Sequence, residues 1–215
     1  MDPSELPTVL ATLRTLALLF ERRKWTHHAV TAEEAELWDT VVCRQTKLSE
    51  PTPAMRAWVH AIYERHGVLC LCQRARAEKP DIVVALPRER KLDIHTVRCY
   101  VPVMKRNGIR EVIFVHAAVA TPQAAQLACA SGLKVTRFLY EDLAYFAPES
   151  DSVAHSRRLP KKEAEALMQR YGRKLPAMLS TDLLAMLDGY RKGDVIEQIR
   201  VYQDAAASKH YYRVQ

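Results

Sequence analysis

Leu159-Pro160-Lys161-Lys162-Glu163-Ala164-Glu165-Ala166-Leu167-Met168-Gln169-Arg170-Tyr171-Gly172 leads, through Leu175-Pro176, into Thr181-Asp182-Leu183-Leu184-Ala185-Met186-Leu187-Asp188-Gly189-Tyr190-Arg191-Lys192-Gly193-Asp194-Val195-Ile196-Glu197-Gln198-Ile199-Arg200-Val201. Pro160 suits the first position of a helix, where a missing N–H costs nothing. Ala164, Leu167, Met168 and Tyr171 then recur at three- and four-residue steps, which gives one apolar face. Gly172 is the stop. Leu175 must be extended, because the residue before proline avoids the helical region. Thr181 or Asp182 caps a second, short helix through Leu183, Leu184 and Leu187, and Gly189 ends it. Gly193-Asp194 turns the chain into the strand Val195, Ile196, Ile199, Val201. The pattern is helix, short helix, strand, without a nucleophile or a metal cluster. It reads as a docking element.

The rest of the chain reads differently. Val9, Leu13, Leu16 and Phe20 form a helical stripe closed by Glu21-Arg22-Arg23-Lys24, a basic run expected to be a solvated helix end. His27-His28 has no Cys or His at ligand spacing, so metal binding is not expected. Thr31 and Glu34 make a capping box for a helix whose buried face is Ala35, Trp38 and Val42. Ser49 to Pro53 reads as a linker. Met55, Val59 and Ile62 mark a helix ended by Gly67, and Val68 to Cys72 a strand. Cys70 and Cys72 share one face of that strand, as small buried hydrophobes.

Ile82 to Leu86 is a continuous β-branched run, hence a buried strand. Asp93 caps a helix with Ile94, Val97, Val101 and Met104, which Pro102 should kink or shorten. Asn107-Gly108 stops it. Val112 to Val115 is a strand. Thr121-Pro122 opens a helix ended by Gly132, and Val135 to Tyr140 is a further strand. Strands alternating with helices point to an α/β layer for residues 1–143.

Composition bounds the function. The 215 residues are 48% hydrophobic and 27% charged, an ordinary globular balance. No apolar run is long enough to span a membrane. The Met1 to Glu5 start carries no secretory pattern. Five cysteines without disulfide spacing fit a reducing compartment. The formal charge is +7. Residues 1–146 hold 20 basic and 16 acidic side chains (+4), and residues 147–215 hold 12 and 9 (+3). Charge this dispersed argues against a tight stand-alone nucleic-acid binder.

The run Leu175-Pro176, Asp182, Ala185, Gly189-Tyr190-Arg191-Lys192-Gly193-Asp194-Val195-Ile196, with Tyr212-Arg213 near the terminus, resembles the fifth subunit of the eukaryotic nuclear RNA polymerases. The C-terminal half of that family is similar to a small subunit of the archaeal polymerase. More weakly, Val112-Ile113-Phe114-Val115 and Thr121-Pro122-Gln123-Ala124 resemble the family's Gly-Ile-Phe-Val strand and Thr-Pro-Ser-Ala loop.

The resemblance implies an α/β fold, α+β overall, in two domains. Residues 1–146 would be a restriction-endonuclease-like α/β jaw domain, and residues 147–215 a small mixed α+β assembly domain. It implies a non-catalytic subunit with no cofactor and no metal, in the nucleus. Thr121, Pro122, Gln123 and Ala124 would lie near downstream double-stranded DNA, held weakly and without sequence preference. Asp182, Ala185, Gly189, Tyr190, Arg191, Lys192, Gly193, Tyr212 and Arg213 would meet the polymerase's largest subunit. Residues 147–215 alone would join the enzyme.

Three departures point to a specialised copy. Leu183 replaces a family proline. The family's His-x-Leu-Val-Pro-x-His junction is reduced to Leu143 to Pro148, followed by polar Glu149-Ser150-Asp151-Ser152; the domain boundary is expected between Glu149 and Ser156. Asp204 to His210 replaces the family's Ser-Glu-Thr-Ala-Gly-Arg-Tyr. Such a copy resembles the kinetoplastid paralogue dedicated to RNA polymerase I, which implies the nucleolus. A polymerase of a large DNA virus is another home, and a subunit shared by polymerases I, II and III an alternative.

The competing enzyme reading is a metal-dependent nuclease. Pro80-Asp81, a strand, then Glu89-Arg90-Lys91 imitates a PD…ExK site, where carboxylates hold a hard cation and a lysine orients water.

Overall fold

The computed structural model describes residues 6–29, 31–39, 52–64, 68–74, 77–87, 89, 91–144, 155–201 and 207–215. The chain is a mixed α/β protein that divides into two compact units, Met1–Phe146 and Ala147–Gln215.

The first unit holds helix α1 (Leu6–Arg23), strand β1 (Trp25–His28), helices α2 (Ala32–Leu37) and α3 (Pro53–Glu64), strands β2 (Val68–Arg74) and β3 (Ile82–Ala85), α4 (Ile94–Arg106), β4 (Glu111–His116), α5 (Pro122–Ala130), β5 (Lys134–Leu139) and α6 (Tyr140–Ala144). Its five strands lie in the order β1-β2-β3-β4-β5. The β1/β2 and β2/β3 pairs are antiparallel; β3/β4 and β4/β5 are parallel. The parallel pairs require crossovers, which α4 and α5 supply.

Every side chain of β3 and β4 is buried, so neither strand alternates. Val83, Ala85, Val112 and Phe114 pack with Val97 and Met104 of α4 and Ala124 and Ala128 of α5. Each large apolar side chain buried this way contributes roughly 1.5–3 kcal/mol. On α1 the stripe Val9, Leu13, Leu16, Phe20 is buried. The same helix docks on α6 through polar pegs: the Thr12 hydroxyl donates to Tyr140 O (3.1 Å) and that of Thr15 to Leu143 O (2.7 Å).

Several expectations need correction. Pro102 does not shorten α4, which runs on to Arg106. Pro102 itself is exposed, while Val97 and Met104 on either side are buried and hold both halves to the sheet. Ala35 is exposed, and of the apolar face expected for α2 it is Trp38, just past the helix, that is buried. Pro53 belongs to α3 and not to a linker; Thr52 caps it, its hydroxyl accepting from Met55 N at 3.3 Å. Tyr140 starts α6 instead of ending a strand. Val42, Gly67 and the Ser49–Pro51 stretch lie outside the described residues.

The second unit holds strand β6 (His155–Arg158), helix α7 (Lys161–Tyr171), a 3-10 turn (Gly172–Lys174), β7 (Ala177–Met178), α8 (Leu183–Asp188), β8 (Val195–Val201) and β9 (Ala207–Val214). The sheet order is β6-β8-β9-β7. Pleat parity separates two small cores. Val195 packs with Leu159 and Leu175 beneath α7, whereas Ile196 packs with Met178, Ala185 and Val214 beneath α8. Pro160 stands at the cap of α7, one residue before the helix proper. β6, β7 and β9 are additional to the elements expected from the sequence. Of the expected junction, residues 149–154 lie outside the described residues, and Ser156 belongs to β6.

Candidate functional site: two loop surfaces

The first surface lies at the carboxyl ends of β3 and β4, where α/β sheets of this kind commonly carry their sites. Two helices begin there, each with a cap. The Asp93 carboxylate accepts from Thr96 N at 2.8 Å and from the Thr96 hydroxyl at 2.9 Å. The backbone N–H of Thr96 is the main cause that holds the Asp93 pKa below the usual aspartate value, with its hydroxyl next. Thr121 is the N-cap of α5, its hydroxyl accepting from Ala124 N at 3.2 Å, and Pro122 follows in the first turn.

The loop is tied to its neighbour. Thr121 N donates to Leu92 O at 3.0 Å, and Lys91 bridges Ala118 in parallel. Lys91 is exposed, so a cation stands beside the loop. Pro122 and Gln123 are exposed, Thr121 is half-buried, and Ala124 is fully buried in the helix-covered core. Any outside contact therefore falls to Thr121, Pro122 and Gln123. His116, at the end of β4, is 3% exposed and shares its Nδ1 with Ala118 O. Burial is the main cause lowering its pKa, so it shapes the loop as a neutral ring and offers no charge to a phosphate.

The second surface is the corner between α8 and β8. Asp182, not Thr181, caps α8, its carboxylate accepting from Leu184 N at 2.9 Å. Gly189 takes a left-handed φ of 70°. That lets Tyr190 N donate back to Ala185 O at 2.8 Å and Gly189 N to Met186 O at 3.3 Å. Asp194 closes the next turn: its carboxylate accepts from Arg191 N at 2.6 Å while its own N–H donates to Arg191 O at 2.9 Å. Gly193 has φ 94°, and its N–H donates to Val214 O at 2.9 Å.

The corner is braced by β6. Arg158 pairs with Asp194 at 3.0 Å, donates to Gly189 O at 3.1 Å and lies 5.9 Å from the Tyr190 ring centre. The Tyr190 hydroxyl lies 2.8 Å from that of Ser156. Tyr190 is thus part of the unit's own fabric, and Ala185 is fully buried. Tyr212 packs against the α8 core, with Arg200 5.9 Å from its ring centre. Arg213 uses its N–H on Pro176 O at 2.9 Å. Asp182, Arg191, Lys192 and Gly193 are exposed. The most exposed face is therefore Asp182 with the turn Arg191-Lys192-Gly193, while Tyr190, Tyr212 and Arg213 are half-buried.

The nuclease constellation does not assemble. Asp81 immediately precedes β3, while Glu89 lies beyond its far end. The carboxylate brought to Asp81 is instead Glu111, through Arg74, which pairs with both. Glu111 also receives Lys134 at 2.8 Å and Arg23 at 3.2 Å. Ammonium and guanidinium groups fill the places a cation would need. Among the described residues, no three His, Cys, Asp or Glu converge as a metal site. The Arg23 side chain is 7% exposed, which corrects the solvated helix end for that residue, while Glu21, Arg22 and Lys24 are exposed as expected. Arg23 and Glu111 are 88 residues apart, so no local signal marks their pairing.

No family model matches the chain, and no curated protein matches it.

Proposed function

We propose that this chain is a non-catalytic subunit of a DNA-directed RNA polymerase that docks on the largest subunit and forms part of the jaw beside downstream DNA during transcription. The observation that carries the reading is the Asp182–Ile196 corner. Asp182, Ala185 and Gly189 to Ile196, among the residues that resemble the polymerase subunit, fall on one closed piece: capped helix, left-handed glycine, Asp-closed turn, strand. It holds its own shape and presents Asp182, Arg191, Lys192 and Gly193 outward. A surface preorganised in this way gives up little entropy on docking.

The Thr121 loop supports the second half of the reading. It offers a helix start with Lys91 beside it, enough to rest near a phosphate backbone and not enough to read bases. The departures at Leu183, the Leu143–Pro148 junction and Asp204–His210 favour residence in polymerase I, hence in the nucleolus.

Affinity purification of the tagged full chain, with mass spectrometry of the largest subunits recovered, tests this. The expected result is the polymerase I largest subunit in excess over those of II and III. Equal recovery of all three removes the specialisation, and recovery of none removes the polymerase reading.

A further inference from the structure

β9 spans Ala207–Val214, yet β7 pairs only with its last two residues, Arg213 and Val214. The ladder fixes where the remaining backbone groups point. Arg213 N donates to Pro176 O and Gln215 N to Met178 O, both at 2.9 Å on the β7 side. Val214 N donates to Asp194 O at 2.9 Å on the β8 side. In an antiparallel ladder a residue's N–H and C=O share a side, and the side alternates along the strand. Ala207, Lys209 and Tyr211 therefore face away from β8, in line with Arg213 and Gln215. No strand among the described residues meets them. The open stretch from Ala207 to Tyr212 is roughly 20 Å long.

The charged side chains of β9 itself carry one sign, with Lys209 paired to Glu197 of β8. β9 carries Lys209, His210 and Arg213 and no acidic residue. Glu197 of the neighbouring β8 is 3% exposed, accepts from Arg157 and the Tyr211 hydroxyl and pairs with Lys209. Two copies joined edge to edge would oppose cations, which is destabilising.

We propose that the outer edge of β9 accepts an extended acidic segment of a partner protein as an added strand along Ala207–Tyr212. Main-chain hydrogen bonds give such strand addition its affinity, and side chains give it selectivity. The inference stands on ladder direction and charge, and holds whichever assembly the chain joins.

The test uses the isotope-labelled full chain and a blocked octapeptide of alternating Glu and Val. In the free protein the amides of Ala207, Lys209 and Tyr211 exchange at least about tenfold faster than those of Ser208, His210 and Tyr212, because they lie outside the β8 ladder. The peptide slows the first set and leaves the second unchanged. Lys209→Pro removes an outward N–H without touching the β8 ladder and weakens binding on the order of tenfold, the equivalent of one hydrogen bond. Lys209→Glu keeps the N–H and also weakens binding, by charge alone. A Lys-Val octapeptide does not bind. Protection of Ala207, Lys209 and Tyr211 before peptide is added would overturn the proposal, as would protection that grows with protein concentration alone. So would an acidic peptide that slows none of them, or a basic one that works equally well.

Discussion

Each unit buries one carboxylate on an inner strand, and the two are supported in different ways. Glu111 of β4 is 1% exposed and takes Arg23 from α1, Arg74 from β2 and Lys134 from β5. Glu197 of β8 is 3% exposed and takes Arg157 from β6 and Lys209 from β9, with the Tyr211 hydroxyl. One cation sets the clusters apart. The Arg23 side chain is 7% exposed, whereas those of Arg74 and Lys134 in the first cluster are 35% and 49% exposed and those of Arg157 and Lys209 in the second 41% and 61%. In the second unit the charged heads can turn to water if the carboxylate is lost. In the first unit the Arg23 side chain starts from 7% exposure and has less access to water. The same motif is a structural tie in one place and a surface network in the other.

The sharpest way to break this contrast is Glu111→Ala. Removing the carboxylate of a buried pair costs about 3–5 kcal/mol, although Arg23 keeps its place over the Trp25 ring, 4.8 Å from the ring centre. Denaturant unfolding with residue-level exchange should show the first unit losing that much and the second unchanged. A loss below about 1 kcal/mol would mean that Arg23 escapes to solvent and that the two clusters are alike.

Next in size is Gly193→Val, in the second unit. A Cβ at Gly193 meets nothing within 4 Å, so the cost is backbone conformation alone: φ is 94°, where a β-branched residue is strained. The expected loss is roughly 1–3 kcal/mol, with lower recovery of the polymerase largest subunit. Gly193→Asn, better tolerated at positive φ, should retain more of both. If valine and asparagine behave identically, backbone strain at the turn is not what matters.

Much of the fold is legible in the sequence because the signals are local. The Thr31–Glu34 box, the Asp93 and Thr121 caps and the Gly189 stop are side chains acting on backbone groups two or three residues away. β3 and β4 are legible from their continuous apolar runs, Ile82 to Leu86 and Val112 to Val115. The exposed corner is legible in part: Asp182 and Arg191 to Gly193 face outward, but Tyr190 is legible only as a motif residue, since its partner Ser156 is 34 positions away. β6 and β9 are not legible. His-Ser-Arg-Arg and Ala-Ser-Lys-His-Tyr-Tyr-Arg-Val carry no apolar alternation, and β8 between them supplies the pairing. The Arg23–Glu111 tie has no signal, because only the closed sheet brings α1's end to the start of β4.

A smaller effect separates the units by pH. His27 is stacked on Trp38, with ring centres 4.4 Å apart, and burial, aided by the adjacent His28, lowers its pKa to about 4. A base whose folded pKa is depressed costs nothing above its unfolded value. As pH falls from about 6.5 towards 4, the unfolded chain takes up a proton that the folded ring refuses. The first unit should therefore weaken across that window, and His27→Phe, which keeps the stack, should flatten the slope. An unchanged slope in the variant would assign the acid sensitivity elsewhere.

The smallest expected effect is that of Glu197→Gln, and it tests the contrast from the other side. Donation from Arg157 is the main cause that holds the Glu197 pKa below its usual value. A carboxylate with a depressed folded pKa contributes stability at pH above its unfolded value near 4.5, and that contribution is lost as pH falls through the lower folded value. Wild type and variant should thus differ at pH 7 and converge below about pH 4.5, the reverse of any gap produced at His27. Glutamine still accepts from Tyr211 or Arg157 through its carbonyl, and the exposed cations regain water, so the pH 7 gap should be a fraction of that for Glu111→Ala. Salt separates the two further. At about 1 M ionic strength the screening length is roughly 3 Å, which should erase most of the Glu197 gap while leaving that of Glu111 nearly intact. Two gaps that shrink together with salt would show that Arg23 is as hydrated as Arg157, and the distinction between tie and network would fail.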